Sequence, residues 1–124
     1  MTHQVPYQEG YVTWHEFGSA NADTLPLVLL HGGHGSWEHW YQNIEELSQH
    51  FHIFAPDMPG FGNSSFVDSQ FQLGIVDPMI ASINTLMGEK KIVNIAGFSF
   101  GGFVAAHIAN QRPGIGKLAL LWLT

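Results

Sequence analysis

The chain has no cysteine among its 124 residues, which removes disulfide frameworks, thiolate nucleophiles and cysteine-bound zinc together. Basic residues are nearly as scarce. Lys90, Lys91, Arg112 and Lys117 are the only four, against ten acidic residues. A formal charge of −6 leaves too little positive charge to line a phosphate backbone, so no nucleic-acid partner is expected. Charged residues make up only 11% of the chain and hydrophobic ones 45%, the composition of a globular protein rather than a disordered one. No apolar run approaches the ~20 residues of a spanning helix. The longest are Leu27–Leu30 and Leu118–Leu123. Met1–Gly10 has neither a basic start nor an apolar stretch and does not read as a secretory signal, so the expectation is a soluble, cytoplasmic protein. There is no repeat, low-complexity tract or linker-like shift in composition, and the length is that of one domain.

What is present alternates between two periods. Tyr11–Phe17 is rich in β-favouring residues and predicts a strand, with a turn at Asn21–Thr24. Leu27–Leu30 is apolar on both faces, as in a strand covered on both sides, and runs into the glycine loop His31-Gly32-Gly33-His34-Gly35. Ser36 is a candidate N-cap, and Trp37, Trp40, Ile44, Leu47 and Phe51 then recur at helical spacing. A strand at His52–Ala55 and a turn-dense stretch, Pro56–Ser64, follow. Asp77-Pro78 predicts an N-cap and first helical position, Ile80, Ile83, Leu86 and Met87 form the apolar stripe, and Gly88 stops the helix. A strand at Ile92–Ala96, a helix from Phe103 to Gln111 and a strand at Leu118–Leu123 complete the reading. Strands alternating with helices predict a three-layer α/β/α fold on a mostly parallel sheet.

Gly97-Phe98-Ser99-Phe100-Gly101 lies between the β-branched strand and an alanine-rich helix. The pattern G-x-S-x-G is weak alone, but strand–turn–helix is the setting that a nucleophile elbow needs. A serine forced to the tip of such a turn needs small neighbours two positions either side, here Gly97 and Gly101, and the helix start favours negative charge nearby. Ser99 is therefore the candidate catalytic nucleophile. Acyl transfer also needs two backbone N–H groups aimed at the developing oxyanion. Phe100 would supply one and Gly33 the other, with His34 as the alternative if the loop is set one residue on.

Together, His31-Gly32-Gly33, Asp57-Met58-Pro59-Gly60-Phe61-Gly62-Asn63-Ser64 and Gly97–Gly102 resemble, in order and spacing, the N-terminal landmarks of the α/β-hydrolase superfamily. The resemblance spans Tyr11 to Leu123. It implies an early antiparallel strand at Tyr11–Phe17 and a sheet ordered 2-4-3-5-6, with the site at the C-terminal strand ends. It implies that His31 and Gly32 support the oxyanion loop and that Asp57 braces its turn. Superfamily members that place aspartate at the elbow open epoxides or displace halide, so Ser99 implies acyl transfer on a small carboxylic ester or a related acyl or carbon–carbon substrate, without metal or organic cofactor.

The superfamily's acid and histidine follow the serine along the chain. After Ser99 there is no Asp or Glu, and the only histidine is His107, eight residues into the helix and about 12 Å along it. Residues 1–124 are accordingly expected to be the N-terminal part of a single hydrolase domain whose lid, acid and histidine are absent. Alone they would be nearly inactive, and an unpaired apolar edge at Leu118–Leu123 would favour self-association. Two other uses of these residues are weaker. His31, His34 and His39, with Glu38, lack a recognised metal-ligand spacing, and no glycine loop has a phosphate-cradling pattern. His107, Trp37 and Trp40 are expected to pack, and Glu45 and Glu46 to be solvated.

Overall fold

The computed structural model describes residues 1–19, 24–65 and 72–122. Asn21, Ala22 and Asp23 of the expected turn and Leu123 of the last strand lie outside the described residues. Six strands form one sheet: β1 (Thr2–Tyr7), β2 (Gly10–Phe17), β3 (Pro26–Leu30), β4 (His52–Asp57), β5 (Val93–Phe98) and β6 (Ile115–Leu121). Their spatial order is β1-β2-β4-β3-β5-β6. β1–β2 and β2–β4 pair antiparallel, and β4–β3, β3–β5 and β5–β6 pair parallel. The expected order is thus present, with one more strand at the N-terminal edge.

Among the described residues three α-helices cover the sheet: α1 (Tyr41–Leu47), α2 (Val76–Met87) and α3 (Phe100–Gln111). The period-2 alternation of the apolar strands sorts their side chains between two cores. Val28, Leu30, Phe54 and Ile95 pack with Met79 and Ile83 of α2 and Val104 and Ile108 of α3. Leu29, Ile53, Ala55 and Ala96 pack on the opposite face with Ile44 of α1 and Trp40 just before it. Val28, Leu30, Ile53 and Ala55 are fully buried, which explains why β3 and β4 read as continuous apolar runs. Among the described residues no helix is long and apolar enough to cross a membrane.

Several boundaries differ from the sequence reading. The stripe from Trp37 does not form one helix. Ser36 Oγ caps a 3-10 turn, Trp37–Trp40, which passes into α1, while Phe51 lies beyond the helix and is 38% exposed. α2 begins one position before Asp77-Pro78, with Ile75 as N-cap, so Asp77 sits in the first turn, where its charge meets the helix dipole favourably. Gly88 ends α2 as expected, at φ 102, a backbone conformation that side chains disfavour. α3 starts at Phe100, three residues earlier than the apolar pattern indicates, because Gly101 and Gly102 carry no side-chain signal. β1 had no signal either: of its six residues only Val5 is buried. It is held by its antiparallel pairing with β2, from Thr2↔His15 to Tyr7↔Gly10, and by Glu16 of β2, which accepts from His3 Nε2 at 2.7 Å and, toward β4, from His52 Nε2 at 2.5 Å. Burial of Glu16 pushes its carboxyl up, but the bonds to His3 and His52 prevail and hold it below the ordinary value.

Candidate active site

Ser99 stands at the junction of β5 and α3 with φ 56 and ψ −115, a region that costs a non-glycine residue about 1–3 kcal/mol. Its N–H donates to the Leu121 carbonyl at 2.8 Å, and its carbonyl accepts from Gly102 N–H at 2.8 Å, so β6 and the first turn of α3 hold the turn closed. The side chain makes no capping bond to the helix, which leaves Oγ free of that competing use. The flanking glycines are required by contact. A Cβ on Gly97 would lie 2.6 Å from the Gly101 carbonyl carbon, and one on Gly101 would lie 2.7 Å from the Leu30 carbonyl carbon. Neither partner can give way, because both are backbone.

The loop after β3 approaches this elbow. A Cβ built on Gly33 would meet Phe100 Cβ at 3.7 Å, so the two residues expected to donate to an oxyanion are neighbours in space. Phe100 is the first residue of α3, where the N–H has no intrahelical acceptor. His34, the alternative donor, has φ 60 and is exposed. Phe61, Phe100 and Phe103 form an aromatic row beside the elbow, with ring centroids 6.3 and 6.1 Å apart.

His31 is fully buried and joins two loops. Its Nε2 accepts from Met58 N–H at 2.9 Å, just past β4, so the proton resides on Nδ1, which donates to the Gly32 carbonyl at 2.7 Å. Burial pushes the imidazole below its ordinary value, outweighing the Gly32 bond and the Asp57 charge that act the other way; neighbouring His39 lowers it further. In the unfolded chain the same ring takes a proton near pH 6.5. Folding therefore excludes a proton, and stability falls as pH drops below about 6.5 until the folded-state pKa is passed. Urea midpoints at pH 7.5 and 5.5 check this: the fall between them is smaller in His31→Gln than in the wild type.

Asp57 is nearly fully buried and braces its turn as the resemblance implied. One carboxylate oxygen accepts from Trp37 N–H at 2.9 Å; the other accepts from Asn63 N–H at 3.0 Å and lies 3.4 Å from His15 Nε2. A Cβ on Gly62, which has φ 50, would lie 2.7 Å from that second oxygen. The link to Trp37 ties the start of the 3-10 turn to β4. His107 lies on α3 and packs against Phe103 at 4.6 Å. Trp40 is buried, Trp37 half-buried, and Glu45 and Glu46 are exposed, as expected. Among the described residues no three His, Asp or Glu side chains converge on a metal-sized site.

Sequence reasoning missed Arg112, read only as the end of a helix. Its buried guanidinium donates to Asn84 Oδ1 and to the carbonyls of Gly88, Lys91, Pro113 and Gly114, at 2.8 to 3.2 Å. Burial lowers its pKa from the usual value. It holds the C-terminal ends of α2 and α3 to the segment leading into β5, on which Ser99 is carried. The signal available was its isolation as the lone arginine beside a helix-ending Pro-Gly.

A mostly parallel sheet, a serine held at positive φ between β5 and α3, and a glycine loop facing it define an α/β-hydrolase core. The chain belongs to the α/β hydrolase fold family, whose profile matches residues 26–121. It is 40% identical over 93 residues to the (E)-2-((N-methylformamido)methylene)succinate hydrolase of Acinetobacter baylyi, covering 74% of this chain and 35% of that protein. It is 33% identical over 100 residues to the pimeloyl-[acyl-carrier protein] methyl ester esterase of Vibrio campbellii, covering 81% and 35%. Among solved structures, an epoxide hydrolase without ligand superposes with a TM-score of 0.81 at 28% identity, covering 97% of this chain and 41% of its own. The chain thus spans little more than a third of the length of these curated relatives.

Proposed function

We propose that the chain is the N-terminal part of a serine hydrolase that transfers an acyl group from a small carboxylic ester, or a related acyl or carbon–carbon substrate, through Ser99. The observation that carries this reading is the backbone of Ser99, at φ 56 and ψ −115 between two glycines that no larger residue can replace. That strain lifts a short nucleophile clear of the sheet at a helix N-terminus, where developing negative charge is stabilised. Ser99 Oγ attacks the carbonyl, the N–H groups of Phe100 and Gly33 receive the oxyanion, and the leaving group departs to give an acyl-enzyme that water cleaves. The acid and base that activate Ser99 and the water are supplied from outside residues 1–124. Similarity to an (E)-2-((N-methylformamido)methylene)succinate hydrolase and a methyl ester esterase supports acyl chemistry. Similarity to an epoxide hydrolase raises alkyl transfer, against which the serine itself argues.

The test is to mix the complete gene product with p-nitrophenyl butyrate, quench in acid and map the peptides by mass. A butyryl group on the Ser99 peptide is expected; turnover with the acyl group elsewhere, or with none trapped and no dependence on Ser99, contradicts the reading.

Self-association of residues 1–124 is a further part of the proposal. Leu118, Leu120 and Leu121 of β6 and the following Trp122 are 39, 40, 45 and 63% exposed, and among the described residues the strand has a neighbour on one side only. Light scattering on residues 1–124 should give a mass above the monomer's, reduced by Leu120→Lys; a monomeric scatterer contradicts it.

A further inference from the structure

From the geometry around the glycine loop we infer that His39 is a positioning residue for the oxyanion donors, a role that rests on the reading of Ser99 and Gly33 given above. His39 closes the 3-10 turn that follows the loop, and its Nδ1 accepts from Gly32 N–H at 3.1 Å. That bond fixes the ring's proton on Nε2 and satisfies a donor one residue before Gly33. The loop is wrapped on the ring. A Cβ on Gly35 would lie 2.7 Å from Nδ1, so glycine there admits the imidazole, while one on Gly32 would lie in ordinary contact, 3.5 Å from His39 Cε1. The ring also meets Phe98, next to Ser99, at 6.2 Å and 87°, and His31 at 6.0 Å and 88°, both edge to face. Two imidazoles therefore clamp one loop. His31 holds it from the buried side through Met58, and His39 holds it from the outer side through Gly32.

The consequence concerns the next amide along. A glycine loop has many backbone conformations to lose, and an unbonded Gly32 N–H would turn toward water. Gly32 N–H and Gly33 N–H lie in successive peptide planes hinged at the Gly32 Cα, so a turn of the first plane changes Gly32 φ and ψ and carries Gly33 N–H off its line to the carbonyl oxygen. Misplacement of a catalytic group by about 1 Å costs on the order of 10²-fold in rate. The effect falls on kcat, since the oxyanion forms only in the transition state.

Asparagine and leucine have nearly the same shape, but only asparagine offers an acceptor in place of Nδ1. In the complete gene product, His39→Leu is expected to lower kcat for p-nitrophenyl butyrate by about 10- to 100-fold, with KM changed less than about two-fold. His39→Asn is expected to recover the rate to within about three-fold, and the two variants should melt alike. Amide exchange gives a second readout: Gly32 N–H is protected in the wild type and in His39→Asn, and unprotected in His39→Leu. A kcat for His39→Leu equal to the wild type's, or equal losses in both variants, overturns the role of His39 while the Ser99 reading stands. If His39→Leu fails to fold, His39→Asn decides: an unprotected Gly32 amide with an unchanged kcat overturns the role. A wild type whose turnover does not depend on Ser99 overturns the underlying reading, and the role of His39 falls with it.

Discussion

If Ser99 is the proposed nucleophile, Ser99→Ala in the complete gene product is expected to lower ester turnover by a factor of about 10⁴ to 10⁶ and to leave KM nearly unchanged. The size follows from what is removed. Without Oγ no acyl-enzyme can form, and the remaining catalysis comes from the oxyanion donors and binding alone. Stability should hardly move. Alanine keeps the Cβ that makes φ 56 costly, and the backbone bonds of Ser99 to Leu121 and Gly102 survive the change. Steady-state kinetics beside a thermal melt separate the two effects: a large loss of rate at an unchanged melting temperature is expected, and equal losses of both would mean that Ser99 serves the fold.

Arg112→Ala is expected to destabilise the fold by roughly 3–5 kcal/mol. The guanidinium donates five hydrogen bonds, to Asn84, Gly88, Lys91, Pro113 and Gly114. All five acceptors are uncharged oxygens, and four are backbone carbonyls gathered where α2 and α3 end, where the helix dipoles favour a cation. Alanine leaves those oxygens without a donor; Asn84 and Gly114 are half-buried, where such a loss costs about 1–3 kcal/mol before relaxation, while Gly88, Lys91 and Pro113 are exposed and water can replace the lost donor there. Lysine is expected to recover little, because an ammonium has three donors at one point and cannot span the planar fork. Urea denaturation of the wild type, Arg112→Ala and Arg112→Lys checks both statements.

Much of this architecture was legible in the chain because its signals are local. Val28, Leu30, Phe54 and Ile95 on one face, and Leu29, Ile53 and Ala96 on the other, announce strands buried on both sides. Gly97 and Gly101 announce a turn in which backbone meets backbone. The failures have physical causes of their own. β1 buries only Val5 and is held by backbone pairing with β2 and by the His3–Glu16 hydrogen bond, so no hydrophobic period marks it. The early start of α3 is hidden because Gly101 is required by contact with the backbone of Leu30, which lies far away in sequence. Arg112 depends on acceptors 21 to 28 residues away as well as adjacent ones, which no local pattern displays. At the site, Ser99, Phe100 and the His31–Gly35 loop were named from spacing and resemblance. What the sequence did not contain was how His31 and His39 share that loop, since both were weighed only as potential metal ligands or family landmarks.

The central claim is that Ser99 is an activated nucleophile. Intact-mass measurement of the complete gene product after brief exposure to a fluorophosphonate tests it most directly. One phosphonyl adduct, mapped to the Ser99 peptide and absent from Ser99→Ala, is the result expected of an oxygen primed for attack. An unmodified protein, or an adduct that persists in Ser99→Ala, would contradict it.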